Sequence, residues 1–289
     1  IAVAKDGTVW YGLQDNTSGK ILADDSRKQI RIYIGDGMWT AVDPDDSNIA
    51  YYQTPGLSLN KTVDGGVTTT AADDFDVGTA HFLGPFHMDD NDAQHLVAVG
   101  TKVAVTTNGA DSWTTVYDLG ANADAGGALF QARTRPLDIH DAFIYAGSCA
   151  PCNLVGSTNQ FQNKISTNVG GAEAPAKGSA AGWHDAAMAG LPNRFIYNIH
   201  IDRADPTGKT IYVVLGGYSP ARWAGVGQFG DTNTNVQQGK NVWVSKDAGE
   251  TFSSIQGNLP DVISTYIIKR GSQLIVATDV GLFISNDLS

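Results

Sequence analysis

A short acidic turn recurs along this chain, and its recurrence constrains the fold more than any other feature. Ser245-Lys246-Asp247-Ala248-Gly249-Glu250-Thr251-Phe252 reads Ser-x-Asp-x-Gly-x-Thr-aromatic and follows the alternating strand Val242-Trp243-Val244. The pattern returns from Thr62 through Asp64 and Gly66 to Thr68, with Thr69 in the aromatic place, and from Thr106 through Asn108 to Trp113, with Ala110 for the glycine. A looser copy, Ser166-Thr167-Asn168-Val169-Gly170, lacks its aromatic unless Trp183 supplies it after an insertion, and a truncated copy stands at Ser285-Asn286-Asp287.

Spacing identifies the repeating unit. Thr62 to Thr106 is 44 residues and Ser245 to Ser285 is 40, the length of one four-stranded propeller blade. The longer intervals place their excess in two Gly- and Asn-rich stretches, 147–182 and 216–241, which are expected to be long loops. Between the boxes, "WTAVDPDDSNIAYY" and "NIHIDRADPTGKTIYVV" each hold a period-two strand, an Asp-Pro turn and a second strand rich in β-branched and aromatic residues. The predicted blade order is strand, Asp-Pro hairpin, strand, short turn, strand, box, strand. Helical periodicity is nearly absent, with one or two turns expected over Gly182 to Pro192. The expected architecture is all-β, a single β-propeller over 1–289 with six or seven four-stranded blades and two loop insertions.

Composition excludes several partners. Thirty acidic against nineteen basic residues give a formal charge of -11, which repels phosphate backbones and anionic lipids. The apolar runs are strand-sized, well short of the ~20 residues that span a bilayer. With no initiator Met and no signal-peptide pattern ahead of Ile1, the chain reads as processed or trimmed.

The boxes resemble the Asp-box, or BNR, repeat of sialidase-like and sortilin-like β-propellers. "VWYGLQDNTSG", "GDGMWTAVDPDDSNIAYY" and "VWVSKDAGETFSSIQGNLPD" are similar to bacterial secreted BNR proteins of glycosyl-hydrolase-like type. The resemblance implies a secreted, extracellular protein. It also implies a scaffold role for each box: the Asp or Asn caps backbone N–H groups of a tight hairpin, the Gly takes a positive φ, and the aromatic packs between blades. A structural calcium is the competing reading, but this turn offers few of the six or more oxygens required. No other cofactor is expected.

Chemistry is then sought in the irregular parts. Cys149 and Cys152, in "GSCAPCN", are expected to form a small-loop disulfide, since a structural zinc wants four ligands and only His140 lies close in sequence. Asp15 and Asp36, each beside a strand end, are the best available carboxylate pair for glycoside hydrolysis; their alternative role is turn capping. Xyloglucan-degrading propellers set two propellers face to face, whereas this chain has length for one. A sialidase is not expected: Arg31-Ile32-Tyr33 lacks the proline of the Arg-Ile-Pro motif. Trp183, His184, Tyr218, Arg222, Trp223, Phe229 and Asp231 fall in the insertions and are the expected ligand-binding set, suited to a glycan or an extracellular protein. The leading expectation is a recognition module, followed by a glycoside hydrolase and then by a subunit of an extracellular assembly. For ring closure, residues 1–4 are expected to pair with the last blade near Leu282 to Ser285, or else another polypeptide, such as a segment of the same precursor, completes it.

Overall fold

The computed structural model describes residues 1–24, 26–80, 82–120, 137–150, 162–216 and 240–285. These residues form six antiparallel sheets, each made of strands consecutive in sequence. The first sheet holds β1 (Ala2–Val3), β2 (Val9–Leu13), β3 (Asn16–Ile21) and β4 (Gln29–Gly35). The second holds β5 (Thr40–Val42), β6 (Ala50–Thr54), β7 (Ser58–Thr62) and β8 (Thr70–Ala71). The third is β9 (Phe86–Asp89), β10 (Asp92–Val99), β11 (Lys102–Thr106) and β12 (Thr114–Asp118). The fourth is β13 (Leu137–His140), β14 (Phe143–Ala150), β15 (Gln162–Thr167) and β16 (His184–Asp185). The fifth is β17 (Ile196–Ile201), β18 (Ile211–Leu215), β19 (Val242–Ser245) and β20 (Ser253–Ser254). The sixth holds three strands, β21 (Ser264–Arg270), β22 (Gln273–Thr278) and β23 (Gly281–Ser285).

Strand periodicity explains how these sheets stack. Successive side chains of a strand point to opposite faces, so one strand can serve two interfaces. In β18, Ile211, Val213 and Leu215 pack toward the fourth sheet with Tyr145 and Ile165. Tyr212 and Val214 pack toward the sixth with Ile267 and Val276. The same construction joins the first sheet to the second through Trp10, Val42 and Ala50. It joins the second to the third through Tyr51, Leu59, Phe86 and Leu96, and the third to the fourth through Val97, Val103, Ile139 and Ile144. Polar stitches fix the relative heights of neighbouring sheets. The hydroxyls of Tyr51 and Tyr145 each donate at 2.8 Å, to the carbonyls of Gly109 and Gly208. Trp10 Nε1 donates to the Ser47 carbonyl at 3.1 Å.

Three sequence-based expectations change. Residues 1–4 do not join the last sheet: β1 pairs with β2, Ala2 opposite Trp10 and Val3 opposite Val9. The short apolar segment finds its partner a few residues downstream, where loop closure is least costly. The stretch 147–182 is not one loop, because β15 runs through it and pairs with β14 from Tyr145 to Ala150. Gly182 to Pro192 contains no helical turn; it carries β16, which pairs with β15 at Ser166 and Thr167.

The boxes connect the third and fourth strands of the second, third and fifth sheets, and their hydrogen bonds repeat. The Asp64 carboxylate accepts from Thr68 N at 2.9 Å and from Thr68 Oγ1 at 2.6 Å, while Thr62 Oγ1 accepts from Gly66 N at 2.8 Å. In the fifth sheet Asp247 accepts from Thr251 N (2.9 Å) and Thr251 Oγ1 (2.6 Å), and Ser245 Oγ accepts from Gly249 N (2.9 Å). In the third, Asn108 Oδ1 accepts from Ser112 N at 3.0 Å and Thr106 Oγ1 from Ala110 N at 3.1 Å. Each turn needs two successive left-handed residues: Gly65 and Gly66, Gly109 and Ala110, Ala248 and Gly249. Trp113 and Phe252 pack at the sheet interfaces. The looser copy is wired differently: Asn168 reaches the preceding hairpin, accepting from Ile144 N at 3.0 Å and donating to the Ala142 carbonyl at 2.7 Å. Ser245 is the donor that Asp247 holds at 2.8 Å, so Asp247→Ala is expected to cost about 1–2 kcal/mol in a urea titration, as for a lost cap. A change below about 0.3 kcal/mol would contradict the scaffold role of the box.

Candidate functional site

In an up-and-down sheet the first hairpin and the third-to-fourth connection leave from one end, while the second-to-third connection and the link to the next sheet leave from the other. The boxes and the Asp-rich hairpins therefore share one end of the molecule, and the connections containing 151–161 and 217–239 leave the opposite end. The first strands of three sheets, β1, β5 and β9, border a cavity of about 290 Å³ that Tyr266 of β21 also lines. A second cavity of about 350 Å³ shares Ile1 and Trp39 with it and opens among Gln14, Met38 and Leu83. Gly12 and Gly37 let the backbones close in here: a Cβ at Gly12 would lie 2.0 Å from the Met38 carbonyl oxygen, and one at Gly37 would lie 2.1 Å from that of Thr17. Trp39, which borders both cavities, leans on His87, ring centroids 5.5 Å apart.

The box end of the cavity is charged. Asp138 is buried and accepts from Ile201 N at 2.7 Å, from Arg203 Nη1 at 2.8 Å and from Arg203 Nη2 at 2.9 Å. Arg203 Nε donates to Asp90 at 2.9 Å, and the other oxygen of Asp90 meets His140 Nδ1 at 2.7 Å. His200 Nδ1 lies 3.5 Å from Asp138. One chain of charges thus ties the first strands of the fourth and fifth sheets to the first hairpin of the third. Burial alone would raise the Asp138 carboxyl, but the hydrogen bond from His200 and the charge and donors of Arg203 overcome it and hold the group well below the usual carboxylate range. Burial likewise opposes ionisation of Asp89. There His95, the N–H groups of Asn91 and Asp141, and the charge of Lys177 bring the group down to about 2. Burial pushes the His87 imidazole toward its neutral form, Asp138 pulls the other way, and Arg203 adds to the downward shift.

These carboxylates are depressed in the folded state, so their contribution is complete above the unfolded range near pH ~4 and is lost as pH falls through the folded values. The urea midpoint is expected to be flat between pH 5 and 7, in so far as carboxylates set it, and to fall steeply between about pH 4 and 2. Asp138→Asn should flatten that acid limb, and an unchanged limb would contradict the assignment.

Asp89, Asp90 and His140 bring three potential ligand atoms within 4.8 Å of one another, the arrangement that best fits a cation among the described residues. Lys177, Arg203 and His95 already serve those carboxylates, so protein cations neutralise the cluster.

The residues singled out from sequence fall in separate places. Asp15 and Asp36 do meet, through backbone: Asp15, at φ 61°, donates its N–H to Asp36 Oδ1 at 2.7 Å. That contact uses Asp36 as a turn acceptor beside the wider cavity. Trp183 and His184 lie at the third-to-fourth connection of their sheet, at the end opposite to the connection that holds 217–239. Trp183 is half-buried rather than free; it stacks on Tyr117 at 5.3 Å and donates Nε1 to the Ser179 carbonyl at 3.2 Å. His184 Nδ1 stands 3.0 Å from the Gly182 carbonyl and its Nε2 is 3.6 Å from Glu250. Tyr218, Arg222, Trp223, Phe229 and Asp231 lie outside the described residues, as does Cys152, the partner expected for Cys149. Buried Arg194 donates Nε to the Gly216 carbonyl at 2.8 Å and Nη1 to that of Lys240 at 3.3 Å, clasping both flanks of 217–239.

Sequence reasoning missed Trp39, Tyr266 and the Asp138–Arg203–Asp90 chain. A signal for the last was present. The first strands read Phe86-His87-Met88-Asp89, Leu137-Asp138-Ile139-His140 and Ile199-His200-Ile201-Asp202, a second repeat of alternating His and Asp visible once the sheets are aligned.

No family model matches the chain, and no curated protein matches it. Solved structures do. The xyloglucanase of glycoside hydrolase family 74 from Xanthomonas campestris aligns with TM-score 0.61 at 12% identity, over 100% of this chain and 44% of that one. YCF48 bound to D1 peptide gives TM-score 0.58 at 10% identity, over 99% of this chain and 76% of that one. The Swd1 β-propeller domain from Myceliophteria thermophila gives 0.56 at 8% identity, over 98% and 80%. This chain spans less than half the length of the xyloglucanase. Identities this low carry the fold alone: the chain has the fold of a β-propeller built from four-stranded antiparallel sheets.

Proposed function

We infer that this chain is an extracellular recognition module that holds a segment of a neutral glycan or of a protein chain in the cavity bordered by β1, β5 and β9. The observation that carries this reading is the pair of contiguous cavities meeting at Trp39, apolar toward Met38 and Leu83 and polar toward His87 and Asp90. An aromatic face can stack on a sugar ring or seat an apolar side chain, while the half-exposed Asp90 carboxylate, already paired within the protein, can accept a further hydroxyl donor. With a formal charge of -11, a neutral or basic ligand is favoured over an acidic one. Structural neighbours include a protein described with a bound peptide and a glycan-degrading enzyme, which is compatible with either ligand class. Asp36 accepts the Asp15 N–H through one carboxylate oxygen, the turn-capping role that is the alternative to acid–base chemistry for this pair.

Arrays of neutral glycans and of peptides test the proposal. The wild-type protein should retain a subset of one array, and Trp39→Ala should weaken that binding at least tenfold while shifting the melting temperature by only a few degrees. Equal binding by both proteins would contradict it.

A further inference from the structure

Resting on the recognition reading above, we propose that the ligand of the cavity bordered by β1, β5 and β9 is a ring of a neutral glycan, selected by hydrogen bonds from its hydroxyls to His87, Tyr266 and Trp39. The polar side chains lining this cavity divide in two. One group is engaged within the protein. Asp89 accepts from Asn91 N at 3.0 Å and meets His95 Nδ1 through its other oxygen at 3.1 Å. Asp90 is paired through both oxygens, with Arg203 and with His140, and Thr40 Oγ1 donates to the Trp10 carbonyl at 3.2 Å. The other group is aromatic. Among the described residues, the Trp39 indole N–H, the His87 ring nitrogens and the Tyr266 hydroxyl have no hydrogen-bond partner, although all three side chains border the cavity.

Their charge state narrows the ligand. Burial lowers the His87 imidazole; Asp138 opposes that shift and Arg203 adds to it. Burial raises the Tyr266 phenol, Asp138 adds to that shift and Arg203 opposes it. Both groups are thereby held neutral. One ring nitrogen of His87 donates and the other accepts, the Tyr266 hydroxyl does both, and the indole donates. An ionised ligand group would lose water here and find the cavity's charges already paired. Sugar hydroxyls fit better, because each is both donor and acceptor. The bodies of the same side chains supply stacking faces: Trp39 and His87 are tilted at 54° with centroids 5.5 Å apart, and Tyr266 is 45% exposed and open to a ligand. A pyranose ring carries an apolar C–H face and a rim of hydroxyls in one small body, which matches amphipathic aromatic walls. The volume of about 290 Å³ lies at the lower end of the range for ligand pockets, roughly 300–1,000 Å³, and so suits a ring or two rather than a longer segment.

Titration calorimetry tests this with a panel of neutral tetrasaccharides of gluco, manno and galacto configuration and with the corresponding uronic-acid oligomers. At least one neutral member should bind the wild-type protein saturably, with its uronate counterpart at least tenfold weaker. Tyr266→Phe and Trp39→Phe each delete a hydrogen-bonding group and keep an aromatic ring, and each should weaken binding about fivefold, as for one lost hydrogen bond. His87→Leu should weaken it at least tenfold, whereas His87→Gln, which restores a neutral donor and acceptor, should stay within about threefold of wild type. The two ring-preserving variants should melt within a few degrees of wild type and carry the test should His87→Leu fail to fold. Equal binding of neutral and uronate oligomers, or equal binding by the wild type and these variants, would overturn the proposal. Failure of the whole panel beside Trp39-dependent retention of a peptide would overturn the choice of a glycan and leave the recognition reading standing; retention of neither class would overturn both.

Discussion

Asp138→Ala is expected to destabilise the protein by about 3–5 kcal/mol, the range for removing one partner from a buried ion pair. The substitution strands Arg203 beside Asp90 alone and leaves the Ile201 N–H without its 2.7 Å acceptor. Both losses fall between the fourth and fifth sheets, so the unfolding transition should move as a whole rather than fray at one end. Asp138→Asn keeps the shape and one carbonyl acceptor and should cost less. If Asp138→Ala changed the urea midpoint by no more than an exposed-loop alanine does, the charge chain would not be holding the first strands together.

Arg194→Met is expected to cost about 3 kcal/mol and to act locally. Hydrogen bonds from a charged donor contribute about 1.5–3 kcal/mol each, and Arg194, 2% exposed, makes one to each flank of the 217–239 connection. Neighbouring side chains brace the same region: Asn163 Nδ2 donates to the carbonyls of Pro192 and Arg194 at 3.0 and 2.8 Å, and Asn241 Nδ2 to that of Val262 at 2.7 Å. Amide exchange should accelerate at Ile211 to Gly216 and Asn241 to Ser245 before the rest of the fifth sheet. Uniform acceleration across all six sheets would instead make Arg194 a general core residue.

Local chemistry explains what the sequence discloses. A box is legible because all its partners lie within six residues: hydroxyl, carboxylate, two left-handed residues and the closing Ser or Thr. Asp-Pro hairpins are legible for the same reason; in Asp43-Pro44-Asp45-Asp46, Asp43 accepts from the N–H of Asp45 at 2.9 Å. Strand order follows from the spacing of such units, whereas the spacing left the count at six or seven. The cavity does not, because its parts come from distant repeats: Asp90 and Arg203 are 113 positions apart, and each alone is an unremarked charge at a strand end. The placement of residues 1–4 was equally hidden, since "IAVA" complements any apolar edge and only geometry shows that β2 is near enough to take it. Trp183 illustrates what long-range packing adds. A tryptophan in a Gly-rich stretch suggests a free ligand platform, yet Tyr117 of the neighbouring sheet already covers its ring.

The central claim is that ligand is held among the first strands, and amide exchange of the protein loaded with its array-selected ligand tests it most directly. Protection is expected at Met38 to Val42 and at Phe86 to Asp90, the backbone bordering Trp39 and His87, with Leu13 to Thr17 and Tyr33 to Asp36 exchanging as in the free protein. Protection confined to the Asp15 and Asp36 turn, accompanied by release of reducing sugar, would contradict it and establish a hydrolase.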